Sequence, residues 1–419
     1  MSNTEDNTHS TPFVPGKTRI PVGRAYYEEG EIKAVVDTLQ NGWLGLSKKG
    51  REFEHTFTEY IGNGHTIFVN SGSSANYLAL EAIKQSLDIH GGEIITPALT
   101  FPTTVNPIIQ HGFLPVFIDI DDTLNLSPKA VEKAVTSKTR GIIFPHILGN
   151  PAKIDEIMDI AKTHNVFVLE DCCSCLGSKY KGRILGSFGN ASTFSFHAAH
   201  SITTGEGGAV VTADRTIEEI VRKKRDWGKD CVCTEHYPDS LGECGNRFSY
   251  NLDGMRYDHR YVYSEIGYNM KPLELQAAFG CVQLKRLEYF NSIRKKNFNC
   301  YVQQLKPLSH LFTLPNILPG SEPVFMGLPL IINDDRKDRE DIVLFLLSRK
   351  IDARYMFAGN ITKQPAYQSC TWRISGGLEI TDTIAANGFW VGIHPGVTEE
   401  MIEYIVNSLK EYCSGKGLL

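Results

Sequence analysis

Apolar positions along the chain gather into short runs separated by amphipathic stretches. Thr66 to Val69, Glu93 to Pro97, Pro115 to Ile120, Gly141 to Phe144 and Val166 to Leu169 are runs of four to six residues rich in β-branched types. Such runs predict strands buried on both faces. Helical periodicity fills the gaps: Tyr27 to Leu39, Lys48 to Tyr60 with Phe53, Phe57 and Tyr60 on one side, Asn76 to about Leu87, Thr103 to His111, and Ile154 to His164. Ser127 to Val135 adds a helix with Ser127 as its cap and Pro128 in its first position. This βαβ rhythm predicts an α/β protein, a mostly parallel central sheet covered by helices on both faces. In such sheets ligands sit beyond the carboxyl ends of the strands.

A second half continues the pattern and then changes it. Thr193 to Phe196 reads as a strand, Gly205 to Gly208 as a turn, and Ala209 to Thr212 as the returning strand. Arg215 to Trp227 is a charged amphipathic helix, and residues 228–263 form a long irregular loop. Ile266 to Asn269 leads into a helix from Leu273 to Leu287 that continues to about Leu305. Beyond Pro307 the composition fits a smaller α+β unit, with a strand at Gly327 to Ile332, a helix at Arg339 to Leu347, a strand near Ile351 to Arg354 and a terminal helix at Glu399 to Tyr412. The expected organisation is a flexible or loosely draped arm over 1–21, a large domain over 22–305 and a small C-terminal domain over 306–419.

Composition narrows the class. A net charge of −5 without blocks of one sign gives no footprint for nucleic acid or for a membrane surface. The polar start, Met1 to Ser10, has no apolar core for a signal peptide, and no window approaches a membrane span, so a cytoplasmic protein is expected. Its ten cysteines then read as reduced thiols or metal ligands rather than a disulfide framework.

Three places carry candidate chemistry. Asn70-Ser71-Gly72-Ser73-Ser74-Ala75 opens a helix, where free first-turn amides make an anion site, although serine is also an ordinary cap there. Asp171 ends a strand, the position of a reacting carboxylate or of a turn former. Cys172, Cys173 and Cys175 follow it, and Cys231, Cys233 and Cys244 lie in the irregular loop, two thiol groups that suit zinc or an iron-sulfur cluster. Cys281, Cys300 and Cys413 fall on helical faces and read as small buried hydrophobes.

The segment from Thr193 to Gly208 resembles the cofactor-lysine segment of the DegT-type, fold-type-I pyridoxal-phosphate enzymes that act on nucleotide sugars. Further likeness runs through Pro12 to Lys17, Pro102 to Ile109, Arg225 to Cys231, Gly267-Tyr268-Asn269 and Phe357 to Asn360. In most of that family a lysine that forms the Schiff base stands where this chain has His200, and here no lysine occurs between Lys181 and Lys223. The spacing of Cys173, Cys231, Cys233 and Cys244 resembles the branch typified by CDP-4-keto-6-deoxyglucose 3-dehydratase, which uses pyridoxamine 5'-phosphate (PMP, the amine form of PLP) and a 2Fe-2S cluster. This chain carries a small insertion before Cys244.

The resemblance implies a set of roles. Gly72, Ser73 and Ser195 would bind the cofactor phosphate, with Asn269 reaching it across a homodimer interface. Phe101 would stack on the pyridine ring and Asp171 pair with its nitrogen, with Ser174 beside the cofactor. His200 would act as general base, and the four cysteines would hold the cluster. The implied substrate is a nucleotide-linked 4-keto-6-deoxyhexose that loses its C3 hydroxyl. Electrons would come from a ferredoxin-type or flavin/iron-sulfur reductase. Two residues depart from that branch: Ser174 stands where it has Asp, and His197 stands where it has Tyr, as in the aminotransferases. The alternatives are a cluster-independent dehydratase, a sugar aminotransferase, or a non-enzymatic sensor or scaffold.

Overall fold

The computed structural model describes residues 12–62, 64–231, 247–333 and 339–419. Its strands are β1 (His65–Val69), β2 (Glu93–Pro97), β3 (Leu114–Ile118), β4 (Thr139–Pro145), β5 (Phe167–Asp171), the short β6 (Lys179–Tyr180) and β7 (Arg183–Ile184), β8 (Ala191–Ser195) and β9 (Gly208–Thr212). Further on lie β10 (Tyr250–Leu252), β11 (Met255–Tyr257), β12 (Phe312–Thr313), β13 (Ser321–Glu322), β14 (Gly327–Ile332), β15 (Ala353–Tyr355), β16 (Arg373–Ile374) and β17 (Gly388–Gly392). An eight-stranded sheet has the order β1-β9-β8-β5-β4-β2-β3-β16, in which β9 alone runs against the others. This is the aminotransferase-like α/β architecture that the strand rhythm predicts.

The strands read as continuous apolar runs because each face of the sheet meets helices. Ile95, Ile142, Val168 and Val211 pack with Phe53 and Phe57 of α2 (Lys48–Ile61) and Ile154 and Ile157 of α6 (Ile154–His164). Their neighbours Ile94, Ile143, Leu169 and Val210 turn the other way, onto Leu78 of α3 (Gly72–Ser86) and Ile217 and Val221 of α7 (Arg215–Arg225). Alternate residues thus fill two cores, and a one-residue slip of register would exchange them.

The second body is an antiparallel sheet, β12-β14-β17-β15, with the helices Leu287–Leu305, Arg339–Ser348 and Glu399–Gly415. The C-terminal segment does not keep to it: Arg373 and Ile374 form β16 on the edge of the large sheet, in register with Val116 and Phe117. The expected single helix from Leu273 to Leu305 is two, Glu274–Lys285 and Leu287–Leu305, broken at Arg286, where φ is −100° and ψ −2°. Arg286 binds Glu28 and Glu31, so the joint is fastened to the N-terminal region. The end of the expected arm is packed rather than draped. Ile20 is 1% exposed, donates its amide to Lys350 and accepts from Asp352. Among the described residues no helix is long and apolar enough to cross a membrane.

Candidate active site

The last two residues of β5 point to opposite faces, as strand alternation requires, and their carboxylates do different work. Glu170 is fully buried and accepts from the amides of Gly186, Phe188 and Gly189 and from His146 Nε2. Burial alone would raise its carboxyl, but His146 and these amides hold it below the ordinary range. Asp171 faces the carboxyl end of the sheet. Its Oδ2 accepts from Asn76 Nδ2 at 2.9 Å and Thr104 Oγ1 at 2.7 Å, and its Oδ1 from the Cys173 amide at 3.1 Å. Thr193 Oγ1 in turn binds Asn76 Oδ1, so α3, α4 (Pro102–Gln110) and β8 all fix the orientation of this carboxylate.

Helix α3 opens beside it. Ser71 caps the helix by accepting from the Ser74 amide at 3.1 Å, and Ser74 Oγ donates to Asn70. The amides of Gly72 and Ser73 belong to the first turn and have no intrahelical acceptor. A β-carbon at Gly72 would fall 2.6 Å from Ser195 Cβ, 3.0 Å from Cys173 Sγ and 3.1 Å from Ser195 Oγ. Only glycine allows the helix end, β8 and the Cys173 turn to meet there. Free amides, a hydroxyl and the positive end of a helix dipole together suit a phosphate. Phe101, the residue before α4, leaves its ring 51% exposed at the mouth, edge-on to Phe357 with ring centres 6.4 Å apart. Free first-turn amides, an exposed aromatic ring and an anchored carboxylate are the kinds of group that a planar ring carrying a phosphate would require.

Beyond β8 the chain turns at 197–200. His200 is half-buried, and its Nδ1 lies 3.1 Å from the carbonyl of Ser195. A carbonyl only accepts, so Nδ1 carries the hydrogen and Nε2 keeps its lone pair. Burial, helped by His197 and Arg294, pulls the imidazole down to about 4, against the opposing pull of the Ser195 carbonyl and Asp171. The result is a neutral ring with one basic nitrogen throughout the physiological range.

The remaining expected site residues have varied surroundings. Ser174 donates its hydroxyl to the carbonyl of His146 at 2.9 Å, which engages it with the backbone. Asn269 is exposed on a segment bridged to Asp226, and the next carbonyl, of Met270, receives the Asn70 amide. Cys173 lies against Gly72; burial and the Asp171 carboxylate push its thiol well up. Cys231 is half-buried, while Cys233 and Cys244 lie outside the described residues. Cys172 and Cys175 are buried in the core below α6. His146, Glu170 and Cys172 offer ligand atoms within 4.8 Å of one another. Both imidazole nitrogens there are engaged, Nδ1 by the Ala152 amide and Nε2 by Glu170, so the trio is a satisfied hydrogen-bond network rather than an open metal site. Thr104, Asn76 and Thr193 form the hydrogen-bond network around Asp171, which the sequence reading missed. Thr104 alone had a signal, three residues after Phe101 on the same helical turn.

Fold and cleft define the fold-type-I class of pyridoxal-phosphate enzymes, with helices on both faces of a mostly parallel sheet and the site at its carboxyl edge. Within that class the chain belongs to the DegT/DnrJ/EryC1/StrS aminotransferase family, whose profile matches residues 26–410. It is 40% identical over 411 residues to the lipopolysaccharide biosynthesis protein RfbH of Salmonella typhimurium, covering 96% of this chain and 93% of that one. It is also 40% identical over 412 residues to the dTDP-4-dehydro-2,6-dideoxy-D-glucose 3-dehydratase of Saccharopolyspora spinosa, covering 96% and 88%. Among solved structures, the GDP-4-keto-6-deoxy-D-mannose-3-dehydratase of E. coli with bound hydrated PLP superposes with a TM-score of 0.84 at 28% identity, over 93% of this chain and 99% of that one.

Proposed function

We propose that this protein is a PMP-dependent 3-dehydratase of a nucleotide-linked 4-keto-6-deoxyhexose, working as a homodimer and supplied with electrons through a 2Fe-2S cluster. The observation that carries the reading is His200: a neutral imidazole with its Nε2 lone pair free stands where most of the family has the Schiff-base lysine. An aminotransferase needs that lysine; a dehydratase that holds its cofactor without a covalent bond needs a base.

Each residue has a task. The Gly72 and Ser73 amides and the Ser195 hydroxyl bind the phosphate, and Phe101 covers one face of the ring. Asp171, held by Asn76, Thr104 and the Cys173 amide, keeps the ring nitrogen protonated. When bound, PMP supplies an amine for the sugar's 4-keto carbon and an electron sink that weakens the neighbouring C3–O bond. His200 Nε2 takes up the proton that must leave carbon for this to happen. In the overall change the C3–O bond breaks, the oxygen leaves as water, and two electrons and two protons turn the carbon into a methylene.

The electrons require a carrier. Cys173, Cys231, Cys233 and Cys244 would supply an all-thiol donor set of the kind that suits a 2Fe-2S cluster, which would pass single electrons from a ferredoxin-type or flavin/iron-sulfur reductase. Both described members, Cys173 and Cys231, are free thiols.

The test is one set of measurements on anaerobically purified, iron-reconstituted protein offered CDP-, dTDP- and GDP-linked 4-keto-6-deoxyhexoses with PMP and dithionite. Expected are about two irons per chain, an EPR signal lost in each of the four Cys→Ser variants, and release of a 3-deoxy product. His200→Asn keeps the signal and loses turnover. Dehydration by iron-free protein would assign the electron-independent reaction, and amine transfer from glutamate would overturn the dehydratase reading.

A further inference from the structure

Arg294, on the helix Leu287–Leu305, is 1% exposed, and among the described residues no carboxylate pairs with it. Its two terminal nitrogens donate to main-chain carbonyls, one to Met326 at 3.1 Å and the other to His200 at 3.3 Å, and its Nε has no partner. A buried guanidinium without a counter-ion is costly, so structure that retains one must gain something from the charge or from the fork.

We propose that Arg294 is the positioning residue for His200: its guanidinium clamps the 197–200 turn by the His200 carbonyl and keeps a positive charge beside the imidazole. The proposal rests on the reading of His200 as the base. The fork joins that turn to the backbone leading into β14, so the angle at which His200 faces the cleft is set by the packing of the small sheet against the large one. The charge works against imidazolium formation, in the same direction as burial, and keeps Nε2 available for proton uptake.

Other groups around the turn divide into two sets. His197 adds to the effect from the turn itself, and Asp171 opposes it from the end of β5. The N-terminal segment packs on the turn at Gly23, where a β-carbon would fall 2.9 Å from Ala199 Cβ, and brings Arg24 into the neighbourhood. His394, 2% exposed, also feels Arg294 and Arg24 and is neutral for the same reasons. Glu206 faces His197 Nε2 at 3.9 Å, so two carboxylates, Asp171 and Glu206, stand around the turn with two arginines, and Arg294 is the buried one of these two. Among the described residues, its polar atoms hydrogen-bond only to the His200 and Met326 carbonyls.

The experiment follows the His200 ring proton by NMR in the PMP-loaded protein with isotope-labelled histidine, the resonance assigned by its loss in His200→Asn. No substrate is needed, so the result is independent of whether the protein is a dehydratase. In Arg294→Gln, which keeps donors and removes the charge, the midpoint should rise measurably toward the free value, by less than the whole displacement because burial is its main cause. In Arg294→Lys, which keeps charge but loses the fork, the midpoint should stay low. If the nucleotide-linked ketosugars named above turn over, kcat for Arg294→Lys should fall about tenfold with KM unchanged, the mark of misplacement rather than lost binding. An unmoved midpoint in Arg294→Gln overturns the electrostatic role, and parental kcat in Arg294→Lys overturns the clamp. Should Arg294→Gln not fold, the lysine variant still decides: a midpoint that rises with the charge retained overturns the proposal, and one that stays low supports it. A low parental midpoint with no loss of turnover in His200→Asn sinks the base reading alone.

Discussion

At Gly72 the usual preference of helices for alanine over glycine is reversed by the neighbours. Alanine would be the better helix former at an open position, but its β-carbon would overlap Ser195 Cβ and press on Cys173 Sγ, both fixed by buried backbone. Gly72→Ala should therefore lower stability by about 1–3 kcal/mol and weaken PMP binding, measured by urea unfolding and by titration of the cofactor's absorbance. Gly72→Ala combined with Ser195→Gly should regain most of the stability, because the overlapping atom is gone, while phosphate binding stays weak. Equal stability of the single and double variants would show that the overlap is relieved elsewhere. The places of individual residues were legible where a local pattern set them: Asp171 ends β5 and Gly72 opens α3. Asn76 and Thr104 were not, since their use is a hydrogen bond to a carboxylate 95 and 67 positions away.

Elements were legible in proportion to their length and period. The runs of β1 to β5 and the helices between them lie close to where the pattern of apolar positions puts them, because burial on both faces leaves little choice of residue. β16 has two residues and no period, and only its pairing with β3 makes it a strand. Its side-chain anchor is Arg373, which binds Glu93 through two hydrogen bonds of 2.9 and 2.8 Å and also donates to the carbonyl of Ala134. The Glu93 side chain is 8% exposed, so removal of its partner leaves a nearly buried carboxylate. Arg373→Met should cost about 2–3 kcal/mol in urea unfolding, below the usual loss for broken buried pairs because Arg373 itself is 30% exposed and Thr136 still donates to Glu93. Arg373, first among several groups, holds the Glu93 carboxyl below its ordinary value. Its contribution is complete above the unfolded pKa near 4.3 and is lost as pH falls through the folded value. The gap between parent and Arg373→Met should accordingly narrow in that acid window. A constant gap would assign the loss to packing of the arginine stem instead of its charge.

On the scale of the whole molecule, the class of fold was written in the alternation of strands and helices, and the crossings between bodies were not. Ile20 beside Ile351, β16 on the large sheet and Arg294 under the His200 turn all join segments far apart in sequence, where no local period operates. His394 belongs to the same set. Its Nε2 meets the carbonyl of Pro21 at 3.0 Å and its Nδ1 accepts the Gly396 amide, which ties the N-terminal segment to the chain after β17. Burial first, then Arg294, pulls it down to about 4. Above pH 6.5 the ring is neutral in both folded and unfolded chains, and its contribution is complete. Between about 6.5 and 4 the unfolded chain takes up a proton that the folded chain refuses, so stability falls with pH by up to roughly 3 kcal/mol from this residue. His200 acts in the same direction. Urea midpoints should thus drop as pH goes from 7 to 4, and His394→Asn, which can keep one hydrogen bond but cannot titrate, should flatten that slope even though its stability at pH 7 is lower. An undiminished slope in His394→Asn would mean that the acid sensitivity resides in the carboxylates, and that the seam between the two bodies is indifferent to the charge of this ring.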